Sequence, residues 1–163
     1  GTGRSAVFSA AAASAVRGSG LGLLGIGLPD IPLFAASLLR SLGQIARGYG
    51  YITSTRRERR IMLLVLDAAL TGGMEYPALS DQLDQALSGT ELTGLSEQEL
   101  ADRVAGKLAE ELLAAKFLQG IPLAGAVGGV LDSRLTARLL DYAALKYNRR
   151  FLLDHRPAGA AGL

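Results

Sequence analysis

Apolar residues recur at three- and four-residue spacing through most of this chain, and no window alternates with the period of two that a half-buried strand requires. The cleanest case is Ile31, Phe34, Ala35, Leu38, Leu42, Ile45 and Tyr49, with Ser37, Arg40, Ser41, Gln44 and Arg47 on the opposite side. Asp30 stands where an N-cap belongs, and Pro32 falls in the first turn, where a missing N–H costs nothing. Gly48 and Gly50 supply a stop. Such a helix is roughly 27 Å long at about 1.5 Å per residue.

The same reasoning predicts a small-residue helix over 4–17 and a helix capped by Thr53, Ser54 or Thr55 that runs to about Thr71. It also predicts a short helix over 77–88 starting at Pro77, and a helix over 97–118 opened by the capping box Ser96-Glu97-Gln98-Glu99. A last long helix, capped by Asp132 or Ser133, carries Leu131, Leu135, Leu139, Ala143, Tyr147 and Phe151 on one stripe. The expectation is all-α: a compact bundle of about six helices in one domain over 1–163. Residues 75–95 form an acidic, more variable connection, and 154–163 a frayed tail.

Two stretches break the pattern. Residues 18–28 place glycine at nearly every second or third position, and 120–129 (Gly-Ile-Pro-Leu-Ala-Gly-Ala-Val-Gly-Gly) repeat that character. They read as apolar helical hairpins or re-entrant segments, because so much glycine costs backbone entropy unless another backbone approaches closely. The apolar runs that contain them, Phe117 to Leu131 with Pro122 and four glycines and Gly18 to Leu39 with Asp30, Pro29 and Pro32, are not good membrane spans, which want about 20 apolar residues.

Composition sharpens this reading. Glycine is 21 of 163 residues and the hydrophobic fraction 49%, too apolar for disorder. The absence of cysteine excludes disulfides and thiolate chemistry. Residues 75–111 hold nine acids against Arg103 and Lys107, a net charge of −7, so a chain of net +2 carries +9 elsewhere. Within 53–71, the middle from Ile61 to Leu70 is apolar all round except for Asp67, which must find a partner or a proton; Arg40 or Arg150 is the expected partner. Arg56, Arg57, Arg59 and Arg60 crowd that helix's start, where the dipole disfavours cations, and Glu58 alone offsets them.

Several motifs in these segments resemble the EcsC protein family. They are Gly27-Leu28-Pro29-Asp30-Ile31-Pro32, Leu38-Leu39-Arg40, Ile45-Ala46-Arg47 and Tyr49-Gly50-Tyr51, then Lys116 to Pro122, Ala124 to Gly128 and Tyr147 to Arg150. The resemblance covers most of 18–152 and spares the acidic middle. The family takes its name from a bacterial protein encoded beside the two components of an ABC transporter, and the resemblance brings no catalytic residues. Asp132 departs from the expected Asn, and Arg56–Arg60 is more basic than the family pattern.

Three candidate sites follow. The first is an anion- or lipid-binding cluster of Arg47, Arg56, Arg57, Arg59, Arg60, Arg149 and Arg150, whose competing reading is a helix start that meets the acidic 75–111 lobe. The second is the pair of glycine-rich stretches, as a bilayer- or membrane-protein-facing surface or as core. The third is a structural polar core of Asp30, Arg40, Asp67 and Asp132, with Tyr49 and Tyr147 nearby; capping and ion pairing explain it without a metal. His155 lies too near the terminus to build a triad, no Gly-Lys-Ser/Thr loop is present, and no groove-helix pattern supports nucleic-acid binding. The expectation is therefore a non-enzymatic accessory or scaffold protein, without cofactor or metal. It would sit peripherally on the cytoplasmic face of the plasma membrane, with lipids or a membrane protein as partner and self-association left open. The alternative is a soluble helical domain that holds a lipid or apolar small molecule in an internal cavity.

Overall fold

The computed structural model of the chain describes residues 31–89, 94–118 and 128–156. Within them the fold is all-helical: α1 (Ile31–Gly48), α2 (Arg56–Leu70), a 3-10 turn (Gly73–Glu75), α3 (Tyr76–Leu87), α4 (Glu97–Leu118) and α5 (Gly128–Asp154). The helix expected over 4–17, the stretch 18–28, Asp30 and most of 120–129 lie outside the described residues.

Local chemistry explains most boundaries. α1 ends in a Schellman motif: the Tyr51 N–H donates to the Ala46 carbonyl at 3.0 Å and the Gly50 N–H to that of Arg47 at 2.9 Å. Of the two glycines offered for this stop, Gly50 takes the left-handed conformation, at φ 87°. Thr55 caps α2 by accepting from the Glu58 N–H at 3.1 Å. At α4 the capping box closes: the Glu99 N–H donates to the Ser96 hydroxyl at 3.3 Å and the Ser96 N–H to the Glu99 carboxylate at 2.7 Å. The bond from the Ser96 N–H foremost, and then the Ser96 hydroxyl, hold the Glu99 carboxyl below the usual range.

One boundary corrects the sequence reading. α5 begins at Gly128, so Asp132 and Ser133 lie inside its second turn and cannot cap it. Once Gly128 and Gly129 adopt helical angles, the helix extends past the polar pair that looks like its start.

α2 is the centre of the bundle. Every residue from Ile61 to Ala68 is buried, because α1, α3, α4 and α5 all pack on it. A helix this apolar around its circumference has no stable solvent face, which is why the other four surround it. Around it the core takes Leu38 and Leu42 from α1, Leu83 from α3, Leu100, Val104 and Leu108 from α4, and Leu139 and Tyr147 from α5.

Side-chain pairs fix the helix directions. Arg59 meets Glu97, and further along Asp67 meets Arg103 and Lys107, so α2 and α4 run the same way. Glu58 meets Arg150 while Glu111, late in α4, meets Arg138, so α5 runs against them. α1 delivers Tyr49 to Phe151 at the C-terminal end of α5, with ring centroids 5.8 Å apart. Arg57, in the first turn of α2, meets Ala86 in the last turn of α3, so α1, α3 and α5 all end at one pole, the arginine pole, where α2 and α4 begin. The far pole holds the end of α4 and the start of α5, and α1 comes from that side.

Candidate functional site

The arginines crowding the first turn of α2 do not stay on their own helix terminus. Arg57 donates to the Ala86 carbonyl at 2.7 Å, in the last turn of α3, where a helix dipole favours a cation. Arg60 donates to the Leu95 carbonyl at 2.7 Å. Arg59 pairs with Glu97 at 2.8 Å and also reaches the Ser54 carbonyl, and the Glu97 contact raises its pKa against the opposing effect of burial. Long side chains thus carry charge from a helix N-terminus, where it is unfavourable, to a neighbour's C-terminus and to the acidic lobe.

Glu58, which looked like a lone offset among cations, is the centre of a buried network. Its side chain is 5% exposed and accepts the Tyr147 hydroxyl at 2.6 Å and the Arg150 guanidinium at 2.9 and 3.0 Å. Arg150 in turn lies 3.8 Å from the centre of the Tyr51 ring, and the Tyr51 hydroxyl donates to Asp154 at 2.8 Å. Burial, and then the Glu58 charge, keep the Tyr147 hydroxyl protonated far above the ordinary phenol range; burial and the Asp154 bond do the same for Tyr51. Asp154, expected in a frayed tail, therefore clasps the loop after α1 to the end of α5. The sole histidine, His155, stacks on Phe151 at 4.0 Å.

Asp67 is fully buried, as its position in α2 predicts, but its partners are not the expected ones. Lys107 approaches at 2.6 Å and Arg103 at 3.2 Å, both from α4. Lys107 also donates to the Thr71 hydroxyl. Arg150 is committed to Glu58, and Arg40 is exposed on α1 rather than part of a polar core. Arg103 reaches Asp67 from the rim of the α2–α4 contact, its own side chain staying 42% exposed, and its charge also acts on Glu99 one turn back. The side chain of Asp132 lies outside the description, and Tyr49 packs with Phe151 rather than with Asp67.

The remaining expected arginines divide. Arg149 pairs with Asp84 at 2.6 Å yet stays 57% exposed; Arg47, exposed, donates to the Thr53 hydroxyl at 3.2 Å; Arg56 is exposed. Asp84 also receives Lys146 at 2.8 Å, a cation drawn inside beside Ser80. Sequence reasoning passed over Lys146, Lys107, Tyr51 and Asp154. The only signal for Lys146 is its place on the inward side of α5 next to Tyr147, where a cation needs an acid across the interface.

Two open clefts lie near these networks. One of about 420 Å³ is bordered by Asp81, Asp84, Arg149, Arg150 and Leu153; one of about 310 Å³ is bordered by Thr71, Glu75, Lys107, Glu110 and Glu111. Among the described residues no three acidic or histidine side chains gather into a metal-ligand set. No described helix is long and apolar enough to cross a membrane. Both buried carboxylates are enclosed by their own cations, so what they do chemically is hold helices together.

The sequence model of the EcsC protein family matches residues 4–152. The chain belongs to the EcsC family. No curated protein and no solved structure matches it significantly. The family match takes in both glycine-rich stretches and runs through α5 as far as Leu152. It therefore spans the Tyr51, Glu58, Tyr147 and Arg150 network that joins the two outer parts of the EcsC domain.

Proposed function

We propose that this EcsC-family domain is a non-enzymatic accessory or scaffold protein bound peripherally to the cytoplasmic face of a membrane. The contact is made by the two Gly/Pro-rich apolar stretches, 18–28 and 120–129, as hairpins or re-entrant segments that enter the interface or pack on a membrane partner. One observation carries this reading: the helix directions. α1 starts at Ile31, α4 ends at Leu118 and α5 starts at Gly128, so both stretches join the body on the side of the far pole, away from the arginine pole. Two apolar, glycine-rich segments rooted on one side of a domain can act together as a single contact surface, with small residues permitting close backbone approach.

The arginine cluster carries less of this reading than its sequence suggests, because Arg57, Arg59, Arg60 and Arg150 bond to other parts of the domain. The apolar term should dominate. Replacing Leu23, Leu24, Ile121 and Leu123 together by Ser removes four large apolar side chains, each contributing on the order of 1.5–3 kcal/mol when fully buried. Flotation with phosphatidylcholine vesicles in high salt tests it. The wild-type chain should rise with the vesicles and the quadruple variant should stay in the dense fraction with an unchanged urea midpoint. A wild-type chain that stays behind with every vesicle type would sink the proposal.

A further inference from the structure

α5 is the longest of the described helices, and its outward side joins arginines to exposed leucines. At 3.6 residues per turn, Arg134, Arg138, Leu145, Arg149 and Leu152 fall within about 40° of one line, with Asp141 as the one acid among them. All six are exposed. Leu145 is 65% and Leu152 62% exposed. Arg138 and Arg149 touch Glu111 and Asp84, yet their side chains remain 56% and 57% exposed, so each has guanidinium left over for another partner. From Arg134 to Leu152 the line runs roughly 27 Å. α1, which packs beside α5, has no acidic residue at all, and its outward positions include Leu33, Arg40 and Arg47. The densest run of acids lies on α4, with Glu97, Glu99, Asp102, Glu110 and Glu111. The flank of α1 and the outward line of α5, with Asp141 as its one acid, is by contrast cationic.

We infer that the outward line of α5 is a docking face for an anionic lipid bilayer, with Arg134, Arg138 and Arg149 at the phosphates and Leu145 and Leu152 dipping into the headgroup boundary. The argument is charge complementarity joined to exposed apolar anchors: leucines flanked by arginines match an interface that is negative outside and greasy beneath. A merely solvated helix face has no need for two leucines this exposed. The inference rests on the membrane reading above and adds the lipid class and an orientation. The line starts near the root of the 120–129 stretch and runs along the flank, so both contacts can be made at once with the bundle lying on its side.

The test uses the full chain with vesicles of phosphatidylcholine alone and of phosphatidylcholine mixed with phosphatidylglycerol, at low salt. Affinity should rise at least tenfold on adding the anionic lipid. Arg134→Gln, Arg138→Gln and Arg149→Gln combined should abolish that gain, at about fivefold per arginine. Leu145→Ser with Leu152→Ser should weaken binding to the mixed vesicles severalfold, while Glu110→Gln, a charge change on the exposed side of α4 and off the line, should leave it within twofold. Lys146 still pairs with Asp84 after the Arg149 change, so folding should survive, as the urea midpoint will show. Equal binding to both vesicle types, or unchanged binding by the α5 variants, would overturn the docking face and leave the membrane reading standing. No binding to either vesicle would overturn both.

Discussion

Replacing Arg150 by Met is the sharpest probe of the interior. Glu58 is 5% exposed, and among the described residues its carboxylate is held from α5 by Arg150 and the Tyr147 hydroxyl. Met preserves much of the volume but leaves a carboxylate in the core with one neutral donor. Stranding one member of a buried ion pair costs about 3–5 kcal/mol, and the lost stack of Arg150 on Tyr51 adds on the order of 0.5–1 kcal/mol. With a urea m-value near 2 kcal/mol/M for a chain of this size, the midpoint should fall by roughly 2 M in a circular-dichroism titration. The diagnostic step is the second substitution. Glu58→Gln on the Arg150→Met background removes the stranded charge, so the double variant should be more stable than Arg150→Met alone by about 2 kcal/mol. Simple additivity of the two changes, or a loss below about 1 kcal/mol for Arg150→Met, would refute the view that Glu58 depends on Arg150.

Two further outcomes follow from the same geometry. At Asp67 the order of damage should be asymmetric. Lys107→Met leaves a fully buried carboxylate with Arg103 alone and should cost about 3–5 kcal/mol. Asp67→Ala leaves Lys107 with Thr71 and water, and should cost about 1–3 kcal/mol; urea midpoints that reverse this order would count against the reading. Alkaline stability should report on Tyr147. Unfolding frees its hydroxyl to ionise near the ordinary value of 10.0, whereas the folded chain holds it protonated well above that. Stability is thus fully present below about pH 10 and declines as pH rises beyond it, by up to roughly 1.4 kcal/mol per pH unit for this one proton. Tyr147→Phe should flatten the slope in urea titrations at stepped pH, and an unchanged slope would contradict the assignment.

The helical periodicity, the caps at Thr55 and Ser96 and the burial of Asp67 were all legible in the residues, because each depends on neighbours within a turn or two. What was not legible depended on which helices meet. Lys107 reads as a surface residue on α4 until α2 brings Asp67 and Thr71 to it. Glu58 reads as a counterweight to four arginines until α5 brings Tyr147 and Arg150 over it. The start of α5 was misplaced for a different reason: Asp132-Ser133 is a better local cap than Gly128-Gly129, and the longer helix prevailed over local preference. The arginine cluster looked like one anion site because sequence shows residue type and spacing but not reach, and side chains of that length cross to another helix.

The sheathing of α2 also bears on how the domain assembles. A segment whose residues from Ile61 to Ala68 are all interior cannot persist as an independent helix in water, since its stability comes from tertiary packing. Its formation is therefore conditional on the helices before and after it in the chain. A nascent polypeptide that has not yet supplied α5 leaves bare the side of α2 that this helix covers, and apolar surface exposed in that way is what makes a partly made chain prone to aggregate.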